Sequence, residues 1–342
     1  MNAYSDFKLA WHLGALAALR EGRLCHPCHL YLFPTSACNL RCVGCINGGS
    51  TRTLARPPHA ALDRDFMITL LRDFAELGGR AVQFSGGGEP TRNPDFFAAV
   101  DEAAALSLSI GLVTNGVLGD ERRARLLERL PFFTWIRVSV DAPDRETYRV
   151  RRGADAFTEV LDLLCVLHAR RAKVSANYLV DSTTTADEIF QAAALAQNLD
   201  VPFRFAVRHV NYSPPRLAPE VLSTLASVAG PRVINSVPAR LRQLEERNSH
   251  PAGECGMMYL APVVASDGVL YACCLTAYDP RFALVDLRKT RLRDWWYSAA
   301  RGQQASTWNA AVRCRGVACI HSGKNKLFRN LVRDVPDDVD FV

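Results

Sequence analysis

Nowhere in its 342 residues does the chain hold an apolar run approaching the roughly 18–20 residues of a membrane-spanning helix, so no membrane association of that kind is expected. No secretion signal is expected either. The N-terminal "DFKLAWHLGALAALREGRL" breaks its apolar stripe with Lys8, His12, Arg20 and Glu21 and reads as an amphipathic surface helix. There is no basic block and no interleaving of basic with aromatic residues. The net charge of +6 comes from scattered Lys and Arg, which argues against nucleic acid as a partner and fits ordinary solvated surface. Disorder is excluded by a hydrophobic content of 49%, enough for one large domain and a smaller appendage. Cysteine is what the chain does have. Its eleven cysteines cluster at 25/28, 38/42/45, 165, 255, 273/274 and 314/319. An odd, clustered count in a large chain without a signal argues for metal ligation in a reducing cytoplasm, the expected location, and against a disulfide framework.

From residue 29 to 208, β-rich runs alternate with helix-patterned segments. The candidate strands are "HLYLFPT" (29–35), "RAVQFSG" (80–86), "LSIGLVT" (108–114), "TWIRVSV" (134–140), "KVSANYLV" (173–180) and "PFRFAVR" (202–208). Helix starts follow at Asp63, Asn93-Pro94, Asp120 and Thr185 or Asp187. Six βα units imply a parallel sheet and fall short of the eight that close a full barrel. The expected fold is therefore α/β: a partial (β/α)6, TIM-like barrel with a small C-terminal hairpin-and-helix domain. The expected divisions are an N-terminal helix and lead-in at 1–28, the barrel at 29–210, a proline-rich linker or helical segment at 211–250, and the cysteine-bearing domain at 251–342.

In such a sheet the chemistry belongs at the C-terminal ends of the strands. There the chain turns glycine-rich or polar: "SGGGEP" after the second strand, "TNG" after the third, "SVDA" after the fourth. After the first strand comes "SACNLRCVGCINGG" (36–49), with cysteines at 38, 42 and 45. That spacing could line one helix face with small buried thiols. Pro34, Gly44, Asn47, Gly48 and Gly49 favour an irregular loop instead. Zinc usually takes four protein ligands, and ferredoxin spacings also supply four cysteines per cluster; three would leave one iron without a protein ligand.

This CxxxCxxC loop resembles the signature of the radical S-adenosylmethionine (SAM) superfamily, and the resemblance runs over roughly residues 29–208 with several motifs in order. It implies that Cys38, Cys42 and Cys45 hold a 4Fe-4S cluster whose remaining iron is chelated by the amino and carboxylate groups of SAM. "SGGGEP" is similar to the family's Gly-Gly-Glu-Pro motif, implying that Gly87, Gly88 and Glu89 bind SAM, with Glu89 on the ammonium. "SVDA" is similarly placed, implying that Ser139 and Asp141 bond the ribose hydroxyls, with Thr114 and Asn115 on the same rim. "RRG" (151–153) resembles a recurrent Arg-Gly and makes Arg152 the candidate for the SAM carboxylate. One position departs. Many members carry an aromatic residue before the third cysteine, packed on the adenine; here Gly44 stands there, and Ile46 or the backbone near Arg204–Val207 is expected to serve instead.

From Cys255 the chain reads "CGMMYLAPVVASDGVLYACC": a cysteine, twelve residues, Gly268, four residues, Cys273. Two strand-like runs flank "SDG", a hairpin that brings Cys255 and Cys273 together. The pattern resembles the start of the SPASM and twitch extensions, which bind auxiliary iron-sulfur clusters. It implies one auxiliary 4Fe-4S cluster on Cys255, Cys273, Cys314 and Cys319, with Cys274 and His321 as alternative ligands. Cys25 and Cys28, in "CHPCH", are half a metal site and are expected to be structural or redox-inert, and Cys165 is expected in the core.

The resemblance implies a radical SAM enzyme that abstracts a hydrogen atom from a ribosomal peptide precursor and so oxidises, cross-links or epimerises it. A dehydrogenase or epimerase acting on an aminoglycoside or sugar-like metabolite is the alternative substrate reading, and a non-catalytic zinc or iron-sulfur module is the rival of a different class. A flavodoxin- or ferredoxin-type electron donor is expected. Since only 28 residues precede the first strand, too few for a fused leader-binding domain, a peptide substrate is expected to use either a separate leader-peptide-binding protein or none.

Overall fold

Alternation with period two sets the first six strands. β1 (His29–Leu32) buries Leu30 and Leu32, β2 (Ala81–Phe84) buries Val82 and Phe84, and β3 (Ser109–Thr114) buries Ile110 and Leu112. β4 (Phe133–Ser139) buries Ile136 and Val138, β5 (Val174–Val180) buries Ala176 and Tyr178, and β6 (Phe203–Val207) buries Phe203 and Phe205. These side chains join one hydrophobic core with the buried faces of helices Arg64–Glu76, Phe96–Ala105, Phe157–Ala169 and Ala186–Asn198. Burying each such side chain is worth about 1.5–3 kcal/mol. The intervening residues, among them Tyr31, Gln83, Arg137 and Ser175, are only partly buried and line the inner face. The computed structural model describes residues 6–47, 57–208, 216–228, 230–245, 254–315, 317 and 319–333.

The strands run parallel in the order β1-β2-β3-β4-β5-β6, and a short seventh, β7 (Val233–Asn235), pairs parallel with β6. This is the partial barrel expected for the α/β class, with one strand more than the sequence pattern showed. Three residues are too few to carry a legible alternation. β7 lies between helices Pro219–Ser227 and Val237–Glu245, in the segment expected to be a linker. At the other edge, β8 (Val263–Val264) pairs parallel with β1, β9 (Val269–Tyr271) turns back on it, and β10 (Ala283–Asp286) follows. The sheet stays open, with β10 and β7 at its two edges. Among the described residues no helix is long and apolar enough to cross a membrane.

Local signals explain the helix starts. The Asp63 side chain accepts from Phe66 N at 2.9 Å, and Thr185 closes a capping box with Glu188. Asn93 is buried and donates from Nδ2 to the carbonyls of Pro34 and Leu62, each at 2.8 Å, which ties the second βα loop to the first. Cys165 departs from expectation. It is exposed, because helix Phe157–Ala169 turns Val160, Leu163, Leu164 and Leu167 inward and Cys165 falls on the opposite face.

The C-terminal segment docks on helix Arg64–Glu76 through Asp73, 1% exposed, whose carboxylate pairs with Arg291 and lies 3.9 Å from Arg293 Nε. Removing this acceptor takes away charged hydrogen bonds from Arg291 and Arg293, whose side chains are 41% and 42% exposed and stay solvated. Asp73→Ala is therefore expected to cost about 1.5–3 kcal/mol. Urea unfolding followed by tryptophan fluorescence measures this, since Trp295 and Trp296 sit in the docked helix; an unchanged midpoint would show the pair to be idle.

Candidate functional site

The loop after β1 is irregular, as its glycines and proline predict. Ser36 and Thr35 pin its start: Ser36 Oγ donates to Pro57 O at 2.7 Å and Thr35 Oγ1 to Ala60 O at 3.0 Å. Cys45 N donates to Cys42 O at 3.3 Å across a tight turn, with Gly44 at φ +74°. Gly48 and Gly49, expected to close the loop, lie outside the described residues. The result brings Cys38, Cys42 and Cys45 to one cavity of about 400 Å³, together with Gly87, Gly88, Glu89, Thr114, Asn115, Ser139 and Arg152. None of the three is in a disulfide, and burial pushes the thiol pKa of Cys42 up to about 11. Three cysteines outside any disulfide around one cavity, with no fourth cysteine among the residues lining it, fit a 4Fe-4S cluster that leaves one iron for another ligand.

The glycine loop is pressed against the cysteine loop. Gly88 N donates to Thr35 O at 3.0 Å and Glu89 N to Ala37 O at 2.9 Å, and a Cβ on Gly88 would sit 2.1 Å from Ala37 O. A Cβ on Gly87 would sit 2.3 Å from Tyr278 Oη, so the C-terminal segment also leans on this loop. Glu89 is 2% exposed and carries more than its place in the motif suggests. Its Oε1 accepts from Thr114 Oγ1 at 2.7 Å, Thr91 Oγ1 at 2.9 Å and Thr91 N at 3.3 Å, while Oε2 accepts from Asn115 N at 2.7 Å. Burial raises its pKa against these bonds, and the carboxylate clamps the ends of β2 and β3. Asn115 Nδ2 reaches Asn39 Oδ1 at 2.9 Å and Cys38 Sγ at 3.8 Å.

Asp141 is the sequence candidate that does not line this cavity. It is buried at φ +58°, and its carboxylate accepts from Arg152 Nη1 and from Leu179 N, each at 2.8 Å. It orients Arg152, while Ser139 faces the cavity. Gly44 is answered by a residue that the sequence pattern left unassigned: Arg208, just past β6. Its Nη1 lies 2.8 Å from where a Gly44 Cβ would be and donates to Val43 O at 2.5 Å, while its Nε lies 3.1 Å from Asp181 Oδ2. Neither Ile46 nor Arg204–Val207 lines the cavity, and Arg208 stands behind the Gly44 turn outside its lining as well.

The second set also converges. Asn325 Nδ2 lies 3.7 Å from Cys255 Sγ and 3.9 Å from Cys319 Sγ. Burial, then the charge of Cys273, pushes Cys255 up to about 11, and Cys314 is raised by burial and then by Cys255, Cys273 and Cys319. Cys274 and His321 join them: the ligand atoms of Cys273, Cys274 and His321 all lie within 4.8 Å of one another. The adjacent pair in "CC" and a histidine two residues after the last cysteine were the available signals. Tyr31, on β1, touches this set, its hydroxyl held protonated by burial and then by Cys274 and Cys273. Cys25 and Cys28 lie elsewhere, each 2% exposed, with burial pushing their thiols up to about 12 and about 11.

Open parallel barrel, three-cysteine loop and glycine-glutamate turn together define a radical SAM domain. Residues 32–196, a little under half of the chain, match the family model described as the Radical SAM superfamily, which gives the chain a radical SAM domain over that stretch. It is 34% identical over 139 residues to a GTP 3',8-cyclase of Pectobacterium atrosepticum, covering 39% of this chain and 40% of that one. The chain thus matches less than half the length of such curated relatives. Among solved structures, Streptococcus suis SuiB bound to precursor peptide SuiA is similar at a TM-score of 0.65 and 16% identity, covering 85% of this chain and 70% of that one. The anSMEcpe structure with bound AdoMet is similar at 0.62 and 18%, covering 89% and 96%. At these identities the likeness is one of fold.

Because the Gly88 Cβ would meet backbone that cannot swing away, Gly88→Ala must separate the two loops. The expected outcome is a loss of about 1–3 kcal/mol in stability, as for overpacking, and weaker iron retention after anaerobic reconstitution. Iron content and thermal midpoint equal to those of the unsubstituted protein would mean that the loops are not in close contact.

Proposed function

We propose that the protein is a radical SAM enzyme that abstracts a hydrogen atom from a ribosomal peptide precursor and so oxidises, cross-links or epimerises it. The observation that carries the radical SAM reading is the convergence of Cys38, Cys42 and Cys45 with the Gly87-Gly88-Glu89 loop on one cavity at the C-terminal rim of the sheet. When bound there, a reduced 4Fe-4S cluster with SAM supplies a 5'-deoxyadenosyl radical able to take hydrogen from an unactivated carbon. The three thiolates hold the cluster. Glu89, already fixed by four donors, presents its remaining acceptor capacity to the SAM ammonium, and Gly87 and Gly88 let the backbone approach closely. Ser139 faces the ribose. Arg152, oriented by Asp141, takes the carboxylate.

Cys255, Cys273, Cys314 and Cys319 would hold a second 4Fe-4S cluster, which would supply an electron acceptor beside the barrel, and Cys274 and His321, close to Cys273, are the replacement ligands within reach. A flavodoxin- or ferredoxin-type donor supplies the reducing electron. The peptide reading rests on this second cysteine set, whose pattern resembles the extensions of peptide-modifying relatives. The local identity to GTP 3',8-cyclases favours a second reading, a nucleotide substrate, but it spans only two fifths of either chain.

Replacing Cys38, Cys42 and Cys45 together by alanine is expected to abolish 5'-deoxyadenosine formation while leaving iron on the second set. If the folded triple variant holds no iron, the second cluster does not exist independently. Glu89→Gln should weaken SAM binding by roughly ten- to a hundredfold, the worth of a charged hydrogen bond, with the first cluster intact. Unchanged affinity by titration would place the methionine end of SAM elsewhere.

A further inference from the structure

The helix Arg145–Arg152, which follows β4, is packed inside out. Arg151 and Arg152 are each 8% exposed and pair with Glu188 and Asp141, whereas Val150 beside them is 59% exposed. Val43, in the loop of the first three cysteines, is 58% exposed. The two valines belong to one surface. Val43 N donates to Arg151 O at 2.9 Å, and a Cβ on Gly153, which ends the helix at φ +68°, would lie 2.8 Å from Arg41 O. Residues 41–43 are therefore laid against the last turn of the helix. A single exposed valine is ordinary, but two on segments joined backbone to backbone make an apolar patch. Neither lines the first cavity, whereas Cys42 and Cys45, which flank the Val43-Gly44 turn, both do. The patch is thus the outer side of the loop whose inner side carries the thiols.

The exposed charged side chains of these two segments are Arg41, Arg145 and Arg149 against Glu146 and Asp155, and both carboxylates already pair, with Arg149 and Arg145 respectively. The rim therefore carries one surplus positive charge, at Arg41. A cluster on Cys38, Cys42 and Cys45 must receive an electron from outside before SAM is cleaved, and Val43 is joined covalently to Cys42. Redox encounters between proteins use small contact areas and are steered by opposite charge, which a two-valine centre with a cationic edge matches. The methyl-bearing edge of a flavin is itself apolar and suits such a centre. We propose that Val43, Val150 and Arg41 dock a small acidic flavoprotein of the flavodoxin type, which passes one electron to the first cluster. The flavin arrives doubly reduced and is oxidised by one electron, the cluster is reduced by one, and no bond, proton or leaving group moves. The inference deepens the reading above and rests on the three thiolates holding a cluster.

Flavodoxin is the probe, titrated calorimetrically at low salt into the reconstituted and, separately, the iron-free protein. It is expected to bind both forms, and more weakly as salt rises. Val150→Glu sets a carboxylate in the centre of the patch and should weaken binding roughly tenfold or more, while Val150→Lys, equally disruptive of the apolar contact but attractive in charge, should weaken it less. In the reconstituted protein, 5'-deoxyadenosine formation driven by reduced flavodoxin should fall in Val150→Glu in step with binding, while formation driven by dithionite stays at the level of the unsubstituted protein. The proposal is overturned if flavodoxin does not bind, or if both variants bind it as tightly as the original. It is overturned equally if Val150→Glu slows the dithionite-driven reaction as much, or if sedimentation shows a dimer that Val150→Glu dissociates, since the face then belongs to the cavity or to a second copy. If dithionite yields no 5'-deoxyadenosine from the unsubstituted protein, the cofactor reading fails, and the titration of the iron-free protein still decides this one.

Discussion

Everything about this molecule depends on what happens at the free edge of β1. A parallel sheet that stops short of closure leaves a row of unpaired backbone groups, and here β8 takes them up: Tyr31 N donates to Pro262 O and Phe33 N to Val264 O. That pairing brings the second set of cysteines alongside the strand that carries the first. The C-terminal end of β1 runs into Cys38, Cys42 and Cys45, while Tyr31, in its middle, meets Cys273 and Cys274. Two thiol clusters on one strand give the barrel interior a chemical group at each side. Docking of Asp73 with Arg291 and of Tyr278 on Gly87 then fixes the appendage in place.

The same economy is visible at Glu89. A carboxylate buried so completely would be costly unless hydrogen-bonded, and the three residues that satisfy it come from its own loop and from the end of β3. Its negative charge therefore has two tasks, to join neighbouring strand ends and to face the cavity. Arg152 has the same double character. Its pairing with Asp141 removes conformational freedom from a long side chain, so that the guanidinium is presented ready-made to whatever enters.

How much of this was legible beforehand follows from the range of the signals. Strand alternation, the Asp63 and Thr185 caps and the irregular cysteine loop are local, and the structure has them where the pattern puts them. The open barrel followed from counting βα units, although β7, three residues long, was too short to leave a period. Cys165 was misplaced because an apolar helix still has an outer face, and a single small residue does not reveal which face it is on. Asp141 was read as facing a ligand. Nothing in "SVDA" signals that Arg152, eleven positions on, returns through a helix to claim it.

Arg208 shows most plainly where such reading ends. The absence of an aromatic side chain at Gly44 is visible in the sequence, but what fills the space is decided by the turn at φ +74°, which aims the missing Cβ at the end of β6. There Arg208 is braced by Asp181 on one side and the Val43 carbonyl on the other. A larger residue at 44 would collide with the guanidinium and face left-handed strain as well. The glycine and the arginine are thus one feature divided between positions far apart in the chain. Their pairing sets a guanidinium, already braced by a carboxylate and a carbonyl, against the turn before Cys45, so that the cysteine loop is held from the sheet side by an arginine and not by a ring of its own.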